Sequence, residues 1–166
     1  MKSNLCVIGL APEFTISISK MLASRLDMFY ASVSEMMEFD LINVTEAKQI
    51  VGGDYIEKLE NEKIKTLFSF KNAIITMDIG MFIRGSNAKN TNKSAYIIFL
   101  DIPYNLIMKL YKKQEKKPFD FDQQMLIYNE RAKFCTNICD FHIELDCLNK
   151  RKVLARILDE LKSYKY

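Results

Sequence analysis

An apolar run of strand length, Leu5-Cys6-Val7-Ile8, ends at Gly9, and a segment of helical pattern follows as far as Leu26. A run that is apolar at consecutive positions suits a strand covered on both faces, as in a parallel sheet flanked by helices. The stretch between them, Ile8 to Ser17, has the place of a phosphate loop. A loop of the form G-x-x-x-x-G-K-[ST] needs backbone N–H groups converging on phosphates, a lysine to neutralise them and a hydroxyl for magnesium. Counted from Gly9, the last three of those positions hold Phe14, Thr15 and Ile16. Pro12 removes one N–H from the cradle, and Glu13 puts a carboxylate where the nucleotide's own charge would lie. Together these substitutions argue against ATP.

The rest of the chain keeps alternating strand and helix signals. Ile18, Met21, Leu22 and Leu26 repeat at helical spacing, with Thr15 as a candidate cap. Met28 to Ala31 reads as a second strand, and Ser32-Val33-Ser34-Glu35 fits a capping box for the next helix. Asn43 and Glu46 repeat that start signal, and Gly52-Gly53 stops the helix before a longer one from about Asp54 to Phe70. Ala73-Ile74-Ile75 and Tyr96 to Leu100 are further buried strands. Between them, Arg84 to Ser94 is rich in Asn, Gly and Ser and reads as a mobile surface connection. Asp101 and Pro103 start a helix through Tyr111. Phe141 to Leu145 alternates like a last strand, and Val153, Leu154, Ile157, Leu158 and Leu161 stripe a closing helix.

With 166 residues, 49% of them apolar, the chain has a single-domain length (1–166). Lys and Arg exceed Asp and Glu by only 24 to 21, which names neither nucleic acid nor an anionic membrane as a partner. No export-type leader or membrane-length apolar run is visible, so a cytoplasmic protein is expected. Cys135, Cys139, His142 and Cys147 are close enough in sequence to weigh as a metal site. Their C-x3-C-x2-H-x4-C spacing lacks the tight C-x2-C knuckle, so core thiols and no metal are the expectation.

In the same register the chain resembles the shikimate kinase family, small P-loop kinases, over about residues 4–164. The family's L-L-A-x-x-L helix stands as Met21-Leu22-Ala23-Ser24-Arg25-Leu26, and its D-x-D as Ser32-Val33-Ser34. Its G-E-x-x-F-R-x-x-E falls on Gly52 to Glu60, with Glu57 in the arginine's place, and its G-G-G on Asp78-Ile79-Gly80. Leu100-Asp101-Ile102-Pro103 matches L-D-x-P, and Lys117-Pro118-Phe119-Asp120 takes the place of the lid motif R-P-L-L. Arg131, Cys135, Cys139 and Asp140 stand for R-x-x-x-Y-x-x-x-A-D. The resemblance implies a doubly wound five-stranded parallel sheet of order 2-3-1-4-5, a phosphate loop at 9–17 and a lid at about 112–124.

It also implies ATP on the phosphate loop and lid, and shikimate held by an aspartate, two arginines and the glycine turn, as a step of aromatic amino acid biosynthesis. Carried over, the nucleotide-site positions are Gly9, Thr15, Ile16, Ser17 and Lys117, and the substrate-site positions Ser34, Glu57, Gly80 and Arg131. Ser34 cannot act as a base near neutral pH without help, and Glu57 meets a carboxylate ligand with like charge. Arg131 could hold an anion or pair with Glu57 or Glu130; His142 reads as structural. The sequence therefore points to a shikimate-kinase-like pseudoenzyme with a binding or regulatory role, its partner a protein or small anionic ligand, and no cofactor. The alternative is a divergent shikimate kinase or related small-molecule kinase using ATP and Mg. If the loop is self-filled, Phe14 packs into the phosphate space while Glu13 or Thr15 satisfies the helix end; otherwise it is an exposed loop without replacement contacts.

Overall fold

A computed structural model describes residues 2–41, 43–111 and 121–163. The strands are β1 (Asn4–Gly9), β2 (Phe29–Ser32), β3 (Ala73–Thr76), β4 (Ala95–Asp101) and β5 (Phe141–Glu144). They form one parallel sheet of order β2-β3-β1-β4-β5, centred on β1 as the apolar run required. Leu5 and Val7 of β1 belong to one buried cluster, and Cys6 and Ile8 to another. On β4, Ile98 and Leu100 face the first cluster while Ile97 and Phe99 face the second. A period of two with both faces covered is what turns a strand into a continuous apolar run.

The helices are α1 (Pro12–Leu26), α2 (Val33–Leu41), α3 (Val44–Val51), α4 (Gly53–Ser69), α5 (Ile79–Ile83), α6 (Asn87–Ser94), α7 (Tyr104–Tyr111), α8 (Phe121–Ile138) and α9 (Lys150–Ser163). Their starts are local chemistry. Ser32 Oγ accepts from Glu35 N at 3.2 Å, and Asn43 Oδ1 accepts from Thr45 N and Glu46 N at 3.1 Å, satisfying N–H groups that a first turn leaves unpaired. Gly52, at φ 84°, separates α3 from α4 in a conformation that a side chain disfavours.

Two expectations are corrected. The segment 84–94 is not a loose connection: Asn87 to Ser94 is helix α6, with Asn87 and Thr91 buried. Asn and Ser carry turn signals, but one face of this helix packs on β4 and α4, and tertiary burial outweighs weak propensity. Thr15 is not the cap of α1. The cap is Ala11, which has no side-chain oxygen to offer, and Pro12 stands at the first helical position, where its missing N–H costs nothing. Among the described residues no helix is long and apolar enough to cross a membrane.

Candidate functional site

The carboxyl ends of β1, β2 and β3 converge where parallel sheets hold ligands. Because α1 begins at Pro12, the Thr15 N–H is spent on Ala11 O at 2.9 Å, and Thr15 Oγ1 donates to the same carbonyl at 2.9 Å. A Cβ added to Gly9 would lie 2.5 Å from Thr15 Oγ1, so glycine is required there by the closeness of the helix. Gly9, Thr15, Ile16, Ser34 and Asp78 surround a cavity of about 20 Å3, the room of about one water.

Thr15, and not Phe14, takes up the space beside Gly9. Phe14 is buried on the other side of α1, in the cluster holding Ile18, Ile107, Val153 and Ile157, because position 14 lies one helical turn before Ile18 on the core face. Glu13 is an exposed first-turn acid. Ser17 is drawn toward α9, its hydroxyl accepting from Lys150 Nζ at 2.6 Å. Lys117 and the lid motif lie outside the described residues.

The substrate-site positions divide between two places. Ser34 lines the small cavity with Asp78, whose carboxylate accepts from Gly80 N at 2.6 Å and caps α5. Arg131 of α8 reaches the same turn: its Nη2 would lie 3.9 Å from a Cβ on Gly80. The expected pairing of Arg131 with Glu57 or Glu130 is absent among the described residues, since Glu57 is carried on α4 toward Arg84. Arg84 instead pairs with Glu60. Burial raises the Glu60 carboxyl above its usual range, Arg84 opposes that, and Glu57 and Asp78 add to it.

Along β4 and β5 lies a cluster that the sequence reading did not assemble. Asp101 Oδ2 meets His142 Nε2 at 2.8 Å, His142 stacks on Phe99 with ring centroids 5.7 Å apart, and Tyr128 donates to Ile102 O at 2.7 Å. The register pairs Phe99 with His142, which puts Asp101 on the same face two residues along. Burial and the neighbouring Asp101 push the Tyr128 phenol up to about 12. The contacts of His142 give it a structural place under α8.

Burial pushes the Cys135 thiol up to about 12, with Cys139 and Asp101 adding to the shift and Arg131 opposing it. Cys139 is raised by burial as well. Since metals take the thiolate, this is a poor setting for ligation. Among the described residues no group of three His, Cys, Asp or Glu side chains is placed to hold a metal ion.

Sheet order, helix placement and the strand-to-helix turn at Gly9 define a P-loop kinase fold. Residues 16–162 match the family model described as shikimate kinase. The chain belongs to the shikimate kinase family. It is 23% identical over 161 residues to a shikimate kinase of Caldicellulosiruptor bescii, covering 93% of each chain. It is also 23% identical over 169 residues to one of Thermodesulfovibrio yellowstonii, covering 95% of this chain and 94% of that one. The crystal structure of shikimate kinase from Bacteroides thetaiotaomicron superposes with a TM-score of 0.85 at 17% identity, covering 96% of this chain and 98% of that one.

The first turn of α1 differs from a phosphate loop in its residues. A triphosphate loop uses converging free N–H groups and a lysine, where this chain has a helical turn whose Thr15 N–H is bonded within α1 and a threonine in the lysine's place.

Proposed function

We propose that this member of the shikimate kinase family does not transfer phosphate, and that it works by binding a protein or a small anionic ligand. The observation that carries this reading is the first turn of α1, where the Thr15 N–H and hydroxyl are both bonded to Ala11 O beside Gly9. Phosphoryl transfer depends almost wholly on positioning and charge neutralisation, so a loop without its lysine, its metal-holding hydroxyl and a base at position 34 keeps little of either. Arg131, beside Gly80 and without an ion pair among the described residues, supports an anionic ligand. Exposed Phe29, Phe39 and Phe70, near the β2 edge of the sheet, support a protein partner.

A second reading is favoured by the curated relatives, which bear the name shikimate kinase over more than nine-tenths of both chains. In it the chain is a divergent ATP-dependent phosphotransferase of shikimate kinase type, and ATP and magnesium are held by an arrangement other than this first turn.

One experiment separates the two. Purified protein is heated with increasing magnesium-ATP, with and without shikimate, and ADP release is followed in parallel. The first reading expects neither a dose-dependent rise in Tm, which binding to the folded state would produce, nor turnover. ADP release that depends on shikimate would establish the second reading and end the first.

A further inference from the structure

Strand β2 is an outer edge of the sheet: among the described residues it pairs with β3 alone. Phe29 N–H bonds inward to Asn72 O at 3.0 Å. By the two-residue period of a strand, the backbone groups of Phe29 and Ala31 therefore face β3 and those of Tyr30 face outward. An open edge of this kind invites a further strand unless charge, proline or a bulge blunts it. Phe29-Tyr30-Ala31-Ser32 carries neither a charge nor a proline.

Beside this edge lies a groove of about 380 Å3, lined by Tyr30 and Ala31 of β2, Met36 and Phe39 of α2, Leu67 of α4 and Phe70 just beyond it. Phe39 is 87% exposed, Phe29 75% and Phe70 48%. Together they leave bare the equivalent of about two whole phenylalanines, on the order of 400 Å2 of apolar surface, an extent that marks interaction sites. Two acids also line the groove, and each is paired within its own chain: Glu35 accepts from Lys20 Nζ at 2.7 Å, and Asp40 meets Lys63.

Geometry, area and charge select a second copy of this chain as the occupant. Antiparallel pairing of two β2 strands about a two-fold axis sets Tyr30 against Tyr30, each giving its outward N–H to the other's carbonyl. The same register sets Phe29 opposite Ala31 of the second copy. Phe29 and Ala31 share one face of β2, so each exposed Phe29 ring meets the other copy's groove beside Phe39 and Phe70. Two such patches cover ~800 Å2 of apolar surface, close to the ~57% apolar share of an interface of ~1,600 Å2. Because the acids lining the groove are already neutralised, like patches meet without net repulsion there. We propose that the chain forms a two-fold dimer through β2, in which Phe29 of each copy fills the groove between α2 and the end of α4 of the other. The proposal rests on the reading above that these phenylalanines meet a protein, and it names that protein.

Sedimentation velocity on the full chain from ~1 to ~300 μM tests this. The mass should rise from that of one chain toward that of two, with no larger species. Phe29→Asp and Phe39→Asp, both at exposed positions, should each weaken the association at least about tenfold. Leu126→Asp, at an exposed apolar position on α8, should leave it unchanged. Copies carrying Phe29→Cys, mixed with copies carrying Ala31→Cys, should cross-link on oxidation beyond either variant alone, since the register sets the two positions opposite each other. The mass of one chain over the whole range overturns the proposal. So does a dimer that either Phe→Asp variant leaves intact, one that Leu126→Asp disrupts equally, or one whose mixed copies do not cross-link. A monomer that releases no ADP fails this proposal alone, whereas a dimer that releases ADP with shikimate keeps it and ends the loss of phosphate transfer proposed above.

Discussion

The cavity beside Gly9 holds about 20 Å3 and the groove between α4 and α6 about 620 Å3. The first lies where the strand-to-helix pattern points to a ligand; the second lies where an Asn-rich stretch gave no such signal. The difference comes from how each helix begins. Pro12 starts α1 so early that its first turn lies directly against Gly9. Between α5 and α6, Gly85 takes φ 55° and Asn87 N bonds to Arg84 O at 3.1 Å, a turn that separates two short helices. No atom lies within 4 Å of a Cβ built on Gly85. Both places use a glycine, one because a neighbour is too near and the other because the backbone turns left-handed.

The strongest way to break this comparison is Phe14→Ala. If the small cavity were filled by Phe14 from the solvent side, truncation would cost little and enlarge it. Phe14 is 6% exposed in the α1–α9 core, so the substitution should cost about 3–5 kcal/mol. Urea unfolding measures this, and a loss below about 1 kcal/mol would move Phe14 out of the core.

The two glycines give a sharper pair. Gly9→Ala meets Thr15 Oγ1, which is held by Ala11 O, and should cost about 1–3 kcal/mol. Gly85→Ala meets no atom but must hold a left-handed backbone, costing about 1–2 kcal/mol. Adding Thr15→Ala should recover part of the first loss and none of the second. Additivity in the Gly9 and Thr15 cycle would show that the two positions are not in contact.

These residues also mark what could be read from sequence. The sheet was legible because β1, β3 and β4 are buried on both faces and must be apolar at consecutive positions. The starts at Ser32 and Asn43 were legible because capping is local chemistry. Helix α6 was not, since Asn87 and Thr91 are buried by contacts with β4 and α4 that no local signal announces. The side taken by Phe14 depended on where α1 begins, and a Pro at the first helical position was the available sign that went unused. Nor could spacing separate Glu57 from Arg131 or join Glu60 to Arg84, which are 24 residues apart and meet through the packing of α4 against the α5–α6 turn.

A smaller effect is expected at Ser32, which lines the small cavity and caps α2. Ser32→Ala should cost about 1 kcal/mol in urea unfolding, the loss of one helix cap. No measurable loss would mean that the Ser32 hydroxyl does not hold the first turn of α2.

The smallest effect concerns Glu60, which lies between the two places: its carboxyl feels Asp78 of the cavity and both Glu57 and Arg84 of the groove. In the unfolded chain it loses its proton near 4.5, whereas burial in the fold keeps it protonated to higher pH despite Arg84. Between those two values the folded state binds more protons. The stability contributed by Glu60 is therefore fully present below the unfolded value and is lost as pH rises through the folded one. Glu60→Gln removes this titration while keeping an oxygen for Arg84 to donate to. The plot of Tm against pH should then fall less steeply just above 4.5 than in the wild-type protein, other groups cancelling in the difference. Arg84→Gln should steepen it, because the cation that opposes the shift is gone. Equal slopes in all three proteins would mean that burial does not govern Glu60, and that the wall between cavity and groove is wetter than the packing of α4 implies.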